Sequence, residues 1–390
     1  MKIALYGHFM YQLAVGLREV SDHEVRLFLD SRTLPNCLVD EPFLDDKSFA
    51  CIEPWVSHRE LLRPYRSELT SELSTYDVAI TTDLGPIFAN AAKVPYVIIP
   101  SGSDLTQWPF PIRARSTRKR GKEDLLAGLI AFRLRKAIRS AASIWGEGFS
   151  RFPGALERLD CKLGDYLLWP IDTNTFSPGA SAAVVGGGQG AITIFHPTRM
   201  MFTPDPFLIE SMGWKRNDLL IEGVAKALGQ GVDVRLVLVD RVGSPDEAEA
   251  RRLIDRLGIV EQVEWLTPEN PEGYTWRQVV ELYRSSDLVV DEFGGCLGLV
   301  ALEGASCGRP VLNLLDSKGL DDVVESLYPD GHPFLQAGSV DEVCDVITSL
   351  TDRGLRTSVG RASRQWVLDH HERSMVAQRC EAMLRDLVTS

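Results

Sequence analysis

Between Ser286 and Leu312 the chain reads SDLVVDEFGGCLGLVALEGASCGRPVL, and the side chain there best suited to chemistry is Glu303. A carboxylate that accepts from two hydroxyls at once suits a ribose better than a phosphate. The plainer role of such a residue is to complement a helix dipole from the first turn. Gly294, Gly295 and Gly298 precede it. Glycines let backbone N–H groups approach a phosphate closely, and a helix N-terminus favours the negative charge. These groups need particular supports. Asp287–Val290 is apolar and β-branched, as a short buried strand is. Asp291–Gly298 reads as a glycine-rich turn, and Leu299–Cys307 has helical spacing. Gly308-Arg309-Pro310 then ends the helix before a second apolar strand, Val311–Leu314. Strand, turn, helix and strand form a βαβ unit whose turn opens at the carboxyl edge of a parallel sheet, where open α/β sheets bind ligands.

The rest of the chain alternates in the same way. Lys2–Tyr6 is an apolar strand, followed by Gly7-His8, a helix near Phe9–Val20 and a strand at Glu24–Leu29. Asp77–Ile80, Val94–Ile99, Ser143–Trp145 and Tyr166–Trp169 read as further strands of a first sheet. Residues 31–75, rich in proline and short amphipathic pieces, carry no readable chemistry. Pro100-Ser101-Gly102-Ser103-Asp104 is a strand-end loop pointing to the same edge as Gly7. In it Asp104 is a candidate for a polar contact with a ligand, or else the N-cap of the following segment. A Gly-, Ala- and Ser-rich stretch, Gly179–Gly190, reads as a spacer. Beyond it strands at Ala191–Phe195, Val234–Val239 and Gln262–Leu266 alternate with helices at Leu219–Leu228, Pro245–Leu257 and Gln278–Arg284. Helices at Gly319–Leu327, Val340–Thr351, Leu355–His370 and Ser374–Leu387 complete the chain. The boundaries predict an α/β protein with one domain over 1–170 and a second over 171–370.

Composition limits the possible functions. With 390 residues, 44% hydrophobic and 25% charged, and a net charge of -12, the chain reads as a globular protein and not a general nucleic-acid binder. No run reaches the roughly 20 apolar residues of a membrane span. MKIALYG enters a strand with no cleavable signal before it. The seven cysteines are scattered without a C-x-x-C, as thiols of a reducing cytoplasm are. Residues 111–140 depart from the average, with ten basic residues against Glu123 and Asp124. Leu125, Leu126, Leu129, Ile130 and Leu134 recur there at helical spacing. Such a basic amphipathic helix is suited to an anionic membrane surface; an ordinary domain helix is the alternative.

G-L-V-A-L-E-G-A-S-C-G-R-P-V resembles the donor-nucleotide motif of family 4 glycosyltransferases, retaining enzymes of GT-B fold. The string Pro170-Ile171-Asp172-Thr173-Asn174-Thr175-Phe176-Ser177-Pro178 is similar to that family's interdomain segment without its glycine. His196-Pro197-Thr198-Arg199, followed after an insertion by Trp214-Lys215-Arg216-Asn217-Asp218, resembles its cationic pattern. The resemblance implies two Rossmann-like domains facing across a cleft, with the C-terminal helix 371–390 crossing back to the first. It implies that Arg199 and Lys215 neutralise a donor diphosphate and Glu303 holds the ribose. Asp291, Glu292, Gly295, Cys296, Leu297, Gly298 and Leu299 would then wall the donor, with Leu266 and Thr267 against the base. Gly7 and His8 would face phosphate or acceptor. Two further positions depart from the family. Gly295 stands where a glutamate is usual, leaving Asp291 or Glu292 for the sugar contact. Ser101 lies near where a histidine is usual, so no catalytic base is carried over.

The implied reaction moves a sugar from a nucleotide-sugar donor to an acceptor hydroxyl with retention of configuration. No cofactor is expected and no metal, because no D-x-D follows a strand and Arg199 and Lys215 replace the cation. The expected location is cytoplasmic, peripheral at the inner face of the membrane through residues 111–140. A nucleotide-sugar hydrolase or epimerase using Asp104 or Glu292 as base, and a non-catalytic nucleotide-sugar-binding protein, are the alternatives.

Overall fold

The computed structural model describes residues 1–110, 122–146, 149, 152–179, 190–205, 208–209, 213–270, 273–316 and 321–389. Much of the basic segment (111–121) and of the spacer (180–189) therefore lies outside the described residues. The chain divides into two compact units, one of residues 1–147, 152–170 and 373–390, the other of 148–151 and 171–372.

In the first unit, seven parallel strands are described: β1 (Lys2–Tyr6), β2 (Glu24–Asp30), β3 (Ala50–Glu53), β4 (Val78–Thr81), β5 (Tyr96–Ile98), β6 (Ser143–Gly146) and β7 (Asp165–Tyr166). Their order is β3-β2-β1-β4-β5-β6-β7, with Leu5 registered against Leu27 on one side and Ile80 on the other. Helices cover both faces, so central strands such as β1, buried from Ile3 to Tyr6, and β4, buried from Val78 to Thr81, do not alternate between buried and exposed residues. Two local readings change. The strand read at Tyr166–Trp169 is only Asp165–Tyr166; beyond it the Leu167 amide donates once, to the Gly146 carbonyl at 2.8 Å. The stretch 31–75 holds β3 and helices His58–Leu62 and Glu68–Leu73, the former started by a Ser57/Glu60 capping box. The C-terminal helix Arg373–Thr389 packs on helix Tyr11–Val20 so closely that a Cβ at Gly16 would lie 2.9 Å from that of Ala377. Val376, Ala377, Cys380 and Leu384 form its buried stripe.

Six parallel strands are described in the second unit: β8 (Ile192–His196), β9 (Val234–Val239), β10 (Val263–Leu266), β11 (Leu288–Val290), β12 (Val311–Asn313) and β13 (Leu335–Gln336). They run in the order β10-β9-β8-β11-β12-β13. Its core is built from strand residues such as Ile194, Leu236 and Leu288 against Leu220, Val224 and Val343 of the covering helices. In both sheets the strand order reverses once, between β1 and β4 and between β8 and β11. At such a point neighbouring crossovers leave in opposite directions and open a crevice beyond the carboxyl ends of the strands.

Candidate functional site

In the second unit the crevice is held open by a buried polar network. His196, at the end of β8, is fully buried, and burial pulls its ring down to about 4. The ring is therefore neutral at physiological pH. The Val290 carbonyl, 2.9 Å from Nδ1, assigns the proton to that nitrogen, leaving Nε2 to accept from Asn217 Nδ2 at 2.7 Å and from the Thr198 hydroxyl at 3.0 Å. Asn217 Oδ1 accepts the Met201 amide at 2.8 Å. In return the Lys215 amide donates to the Met201 carbonyl at 2.7 Å. These bonds tie the loop after β8 to the start of helix Asn217–Gly229, although an insertion separates them in sequence. They thereby position Arg199 and Lys215. Arg199 is exposed and makes no hydrogen bond or ion pair among the described residues.

Lys215 also links to the glycine turn, because its carbonyl accepts the Phe293 amide at 3.0 Å. Its ammonium pairs with Glu292, which is 5% exposed. Burial pulls Lys215 below its ordinary value, and nearby Asp291 opposes this. Asp291 is pushed up to about 6 by burial, opposed by Lys215 and by the Gly298 amide, which donates to Oδ2 at 2.8 Å. The two acids left open for the sugar contact thus both sit against Lys215. The glycines are required sterically. A Cβ at Gly298 would lie 2.6 Å from Asp291 Oδ2, and one at Gly294 would lie 2.8 Å from the Trp214 carbonyl. Gly295 has φ of 97°, a left-handed conformation that a side chain would strain. Leu297 is buried, so it can offer a ligand only backbone, whereas Cys296 and Leu299 are half-buried.

Glu303 lies one turn into helix Leu299–Ser306 and is half-buried. Burial pushes it up to about 7, opposed by the Tyr283 hydroxyl, which donates to Oε2 at 2.8 Å, and by the charge of Arg241. Tyr283 is fixed by an edge contact with Phe195, ring centres 5.5 Å apart. Its hydroxyl occupies one carboxylate oxygen and leaves Oε1 for another donor. Arg241 follows β9, donates to the Pro197 carbonyl at 3.3 Å, and lies within electrostatic reach of Arg199, Lys215 and Glu303. Neither Tyr283 nor Arg241 was legible as a site residue, although a cation just past a strand, LVLVDR, marks the correct sheet edge. Leu266 ends β10 and Thr267 follows it. The Thr267 hydroxyl is engaged by Asp240 at 2.5 Å, and the Leu266 carbonyl accepts the Asp240 amide at 2.9 Å. Cations, first-turn amides and a glycine turn form an anion cradle beside a carboxylate with an open oxygen.

The first unit has its own crevice, a cavity of about 430 Å³ lined by residues that follow β1, β2 and β4. Gly7 (φ 113°) and His8 are on its wall. Burial pulls His8 below its ordinary value, against the opposing charge of Asp83. Asp83, another residue missed in the sequence, also lines the cavity and is in the left-handed region with φ of 54°. Its Oδ1 accepts the Ser101 hydroxyl at 2.9 Å. Asp104 is 3% exposed, with its oxygens accepting the amides of Ser101, Gly102 and Asp83 at 3.0–3.1 Å. Gly102 is the N-cap of helix Ser103–Thr106, so Asp104 organises the loop from inside the first turn rather than capping it. Burial, with Asp83 second, pushes it up to about 7.

No protein-family model matches the chain. It is similar to the D-inositol 3-phosphate glycosyltransferase of Mycobacterium sp. strain JLS, 30% identical over 196 residues, which are 48% of this chain and 39% of that protein. With the protein of the same name from Kribbella flavida it shares 28% identity over 209 residues, 50% of this chain and 44% of that one. The chain thus spans less than half the length of these curated relatives. Among solved structures it is similar to Anabaena HepE in complex with UDP and glucose, with 16% identity, a TM-score of 0.65, and coverage of 99% of this chain and 100% of that one. Sucrose-phosphate synthase from Thermosynechococcus elongatus gives 15% identity, a TM-score of 0.63 and coverage of 100% and 99%. The chain therefore has the fold of the GT-B glycosyltransferases, two parallel-sheet α/β domains.

Proposed function

We propose that this protein is a retaining glycosyltransferase of the family 4 type, moving a sugar from a nucleotide-sugar donor to an acceptor hydroxyl. One observation carries the reading: at the β8/β11 crevice, Lys215 and the glycine turn are tied together beside Glu303, whose Oε1 is left open by Tyr283. That combination suits a diphosphate joined to a ribose. The complex of Anabaena HepE with UDP-glucose supports the same donor class, and the names of the curated relatives support glycosyl transfer. In the reaction, the acceptor oxygen bonds to the anomeric carbon on the face from which the phosphate departs. The acceptor proton passes to the leaving phosphate oxygen, and the electrons of the broken C–O bond stay with the diphosphate. Arg199, Lys215 and Arg241 stabilise the developing charge in place of a metal ion. No enzymic nucleophile or base is needed. The hydrolase alternative is disfavoured, because Asp104 is saturated by loop donors and Glu292 is paired with Lys215.

The acceptor is reached at an anionic membrane surface, with the chain in the cytoplasm. On helix Lys122–Ser140, Ala131, Leu134 and Ala137 face the core, while Leu125, Leu129 and Phe132 are 81%, 36% and 58% exposed at i, i+4 and i+7. Exposed Lys136 continues this stripe. No helix among the described residues is long and apolar enough to cross a membrane. Proton NMR of the first-formed product tests the chemistry: an anomeric configuration equal to the donor's is expected, and inversion would exclude the mechanism.

A further inference from the structure

We propose, on the basis of the transferase reading above, that the cavity at the β1/β4 reversal selects an uncharged acceptor alcohol with an apolar or aromatic face, and rejects a phosphorylated one. The walls supply the first half of the argument. Leu29, Leu34, Val56, Leu84 and Trp108 line the cavity, and its 430 Å³ suits a small organic molecule. Trp108 is 40% exposed, so part of its indole remains available to cover a sugar ring or an aryl group.

The charges supply the second half. Arg32 is the guanidinium among the lining residues, and it is already committed. Its Nε and NH2 donate to the two oxygens of Asp30 at 3.1 and 3.0 Å, and Asp30 also accepts the Val56 amide at 2.7 Å. At His8 burial pulls the imidazole below its ordinary value and so works against a positive charge, opposed by Asp83. Among the described lining residues the carboxyl groups of Asp83 and Asp30 meet one arginine, which is paired, and burial raises Asp83 above its ordinary value against the opposing effect of His8. A phosphate placed there would lose its hydration beside carboxyl groups, without an unpaired cation among the described lining residues to replace it. A hydroxyl meets the opposite situation. Asp83 Oδ1 is taken by Ser101, and Oδ2 remains to accept a hydrogen bond from an alcohol. The curated relatives are named for a phosphorylated acceptor, so the inference separates this chain from them.

Calorimetry on the full chain, with UDP present, tests this with p-nitrophenyl glucoside and inositol 3-phosphate as probes. Expected are binding of the aryl glucoside, binding of the phosphate at least tenfold weaker, and a tenfold or greater loss of glucoside affinity in Trp108→Ala. In a second variant, Leu34→Lys, an added cation should shift the preference towards the phosphate. Tighter binding of inositol 3-phosphate, no binding of the glucoside, or an unchanged affinity in Trp108→Ala would each overturn the inference. UDP titrated alone reports on the donor site separately. If UDP fails to bind but the aryl glucoside binds as expected, the transferase reading falls and the cavity's selectivity stands.

Discussion

Glu303 is the residue on which the donor assignment depends. If its charged form accepts a ribose hydroxyl, Glu303→Gln removes a hydrogen bond to a charge, contributing about 1.5–3 kcal/mol. Calorimetry should then show UDP affinity falling by about one to two powers of ten. Because burial raises Glu303 to about 7, the parent's affinity should also climb between pH 6 and 8 more steeply than the variant's. The variant carries the same ionising nucleotide and lacks only this group, so equal slopes would sink the assignment. Asp291 tests the electrostatics of the turn. Its folded value of about 6 exceeds its ordinary 3.8, so the proton it holds stabilises the fold at low pH, and this contribution is lost as pH rises through 6. Asp291→Asn lacks that loss. Relative to the parent, its unfolding free energy should rise by about 2 kcal/mol between pH 4 and 7. Urea titrations at the two ends measure it, and a constant difference would mean that Asp291 ionises normally.

At the scale of elements, helix Lys122–Ser140 has two faces of different character. Its stripe of Ala131, Leu134 and Ala137 holds it to the first unit, while Leu125, Leu129 and Phe132 project from the other side. Burying three such side chains in the headgroup region contributes several kcal/mol at about 25 cal/mol per Å². Each nearby basic residue adds roughly 1 kcal/mol. The expected outcome is sedimentation with phosphatidylglycerol vesicles at low salt, release as salt screens the attraction, and loss of binding in Leu125→Ser/Phe132→Ser with the melting temperature unchanged. Equal binding to neutral vesicles, or none to either, would return the helix to an ordinary domain role. The helix was legible because its periodicity is local. Helices His58–Leu62 and Glu68–Leu73 were not, because five or six residues carry too little periodicity to read.

For the whole molecule, the proposal makes catalysis a matter of fixed protein cations. Turnover should survive a chelator, and removing the charge of Arg199 or Lys215 should each cost about 2–4 kcal/mol in transition-state stabilisation. Activity lost in chelator and restored by Mg²⁺ or Mn²⁺ would replace that account with a metal-dependent one. Arg241→Gln is expected to act in the same direction as Arg199→Gln, since the two guanidinium groups sense each other.

Alternation of apolar strands with amphipathic helices determined the α/β class, because burial on both faces writes a parallel strand as a continuous apolar run. The strand–glycine–helix order likewise placed Gly298 and Glu303 at a carboxyl edge, because a βαβ turn is a local object. Tertiary structure decided the partners. Lys215 meets Glu292 across 77 positions, Tyr283 reaches Glu303 from another helix, and Asp83 joins His8 from a different strand. These encounters depend on strand order, which sets β8 beside β11 and β1 beside β4. Pairing in a parallel sheet is chosen by the packing of whole crossovers, which no local spacing encodes. The raised values of Asp291 and Glu303 have the same origin, since desolvation belongs to the folded surroundings and not to the residue.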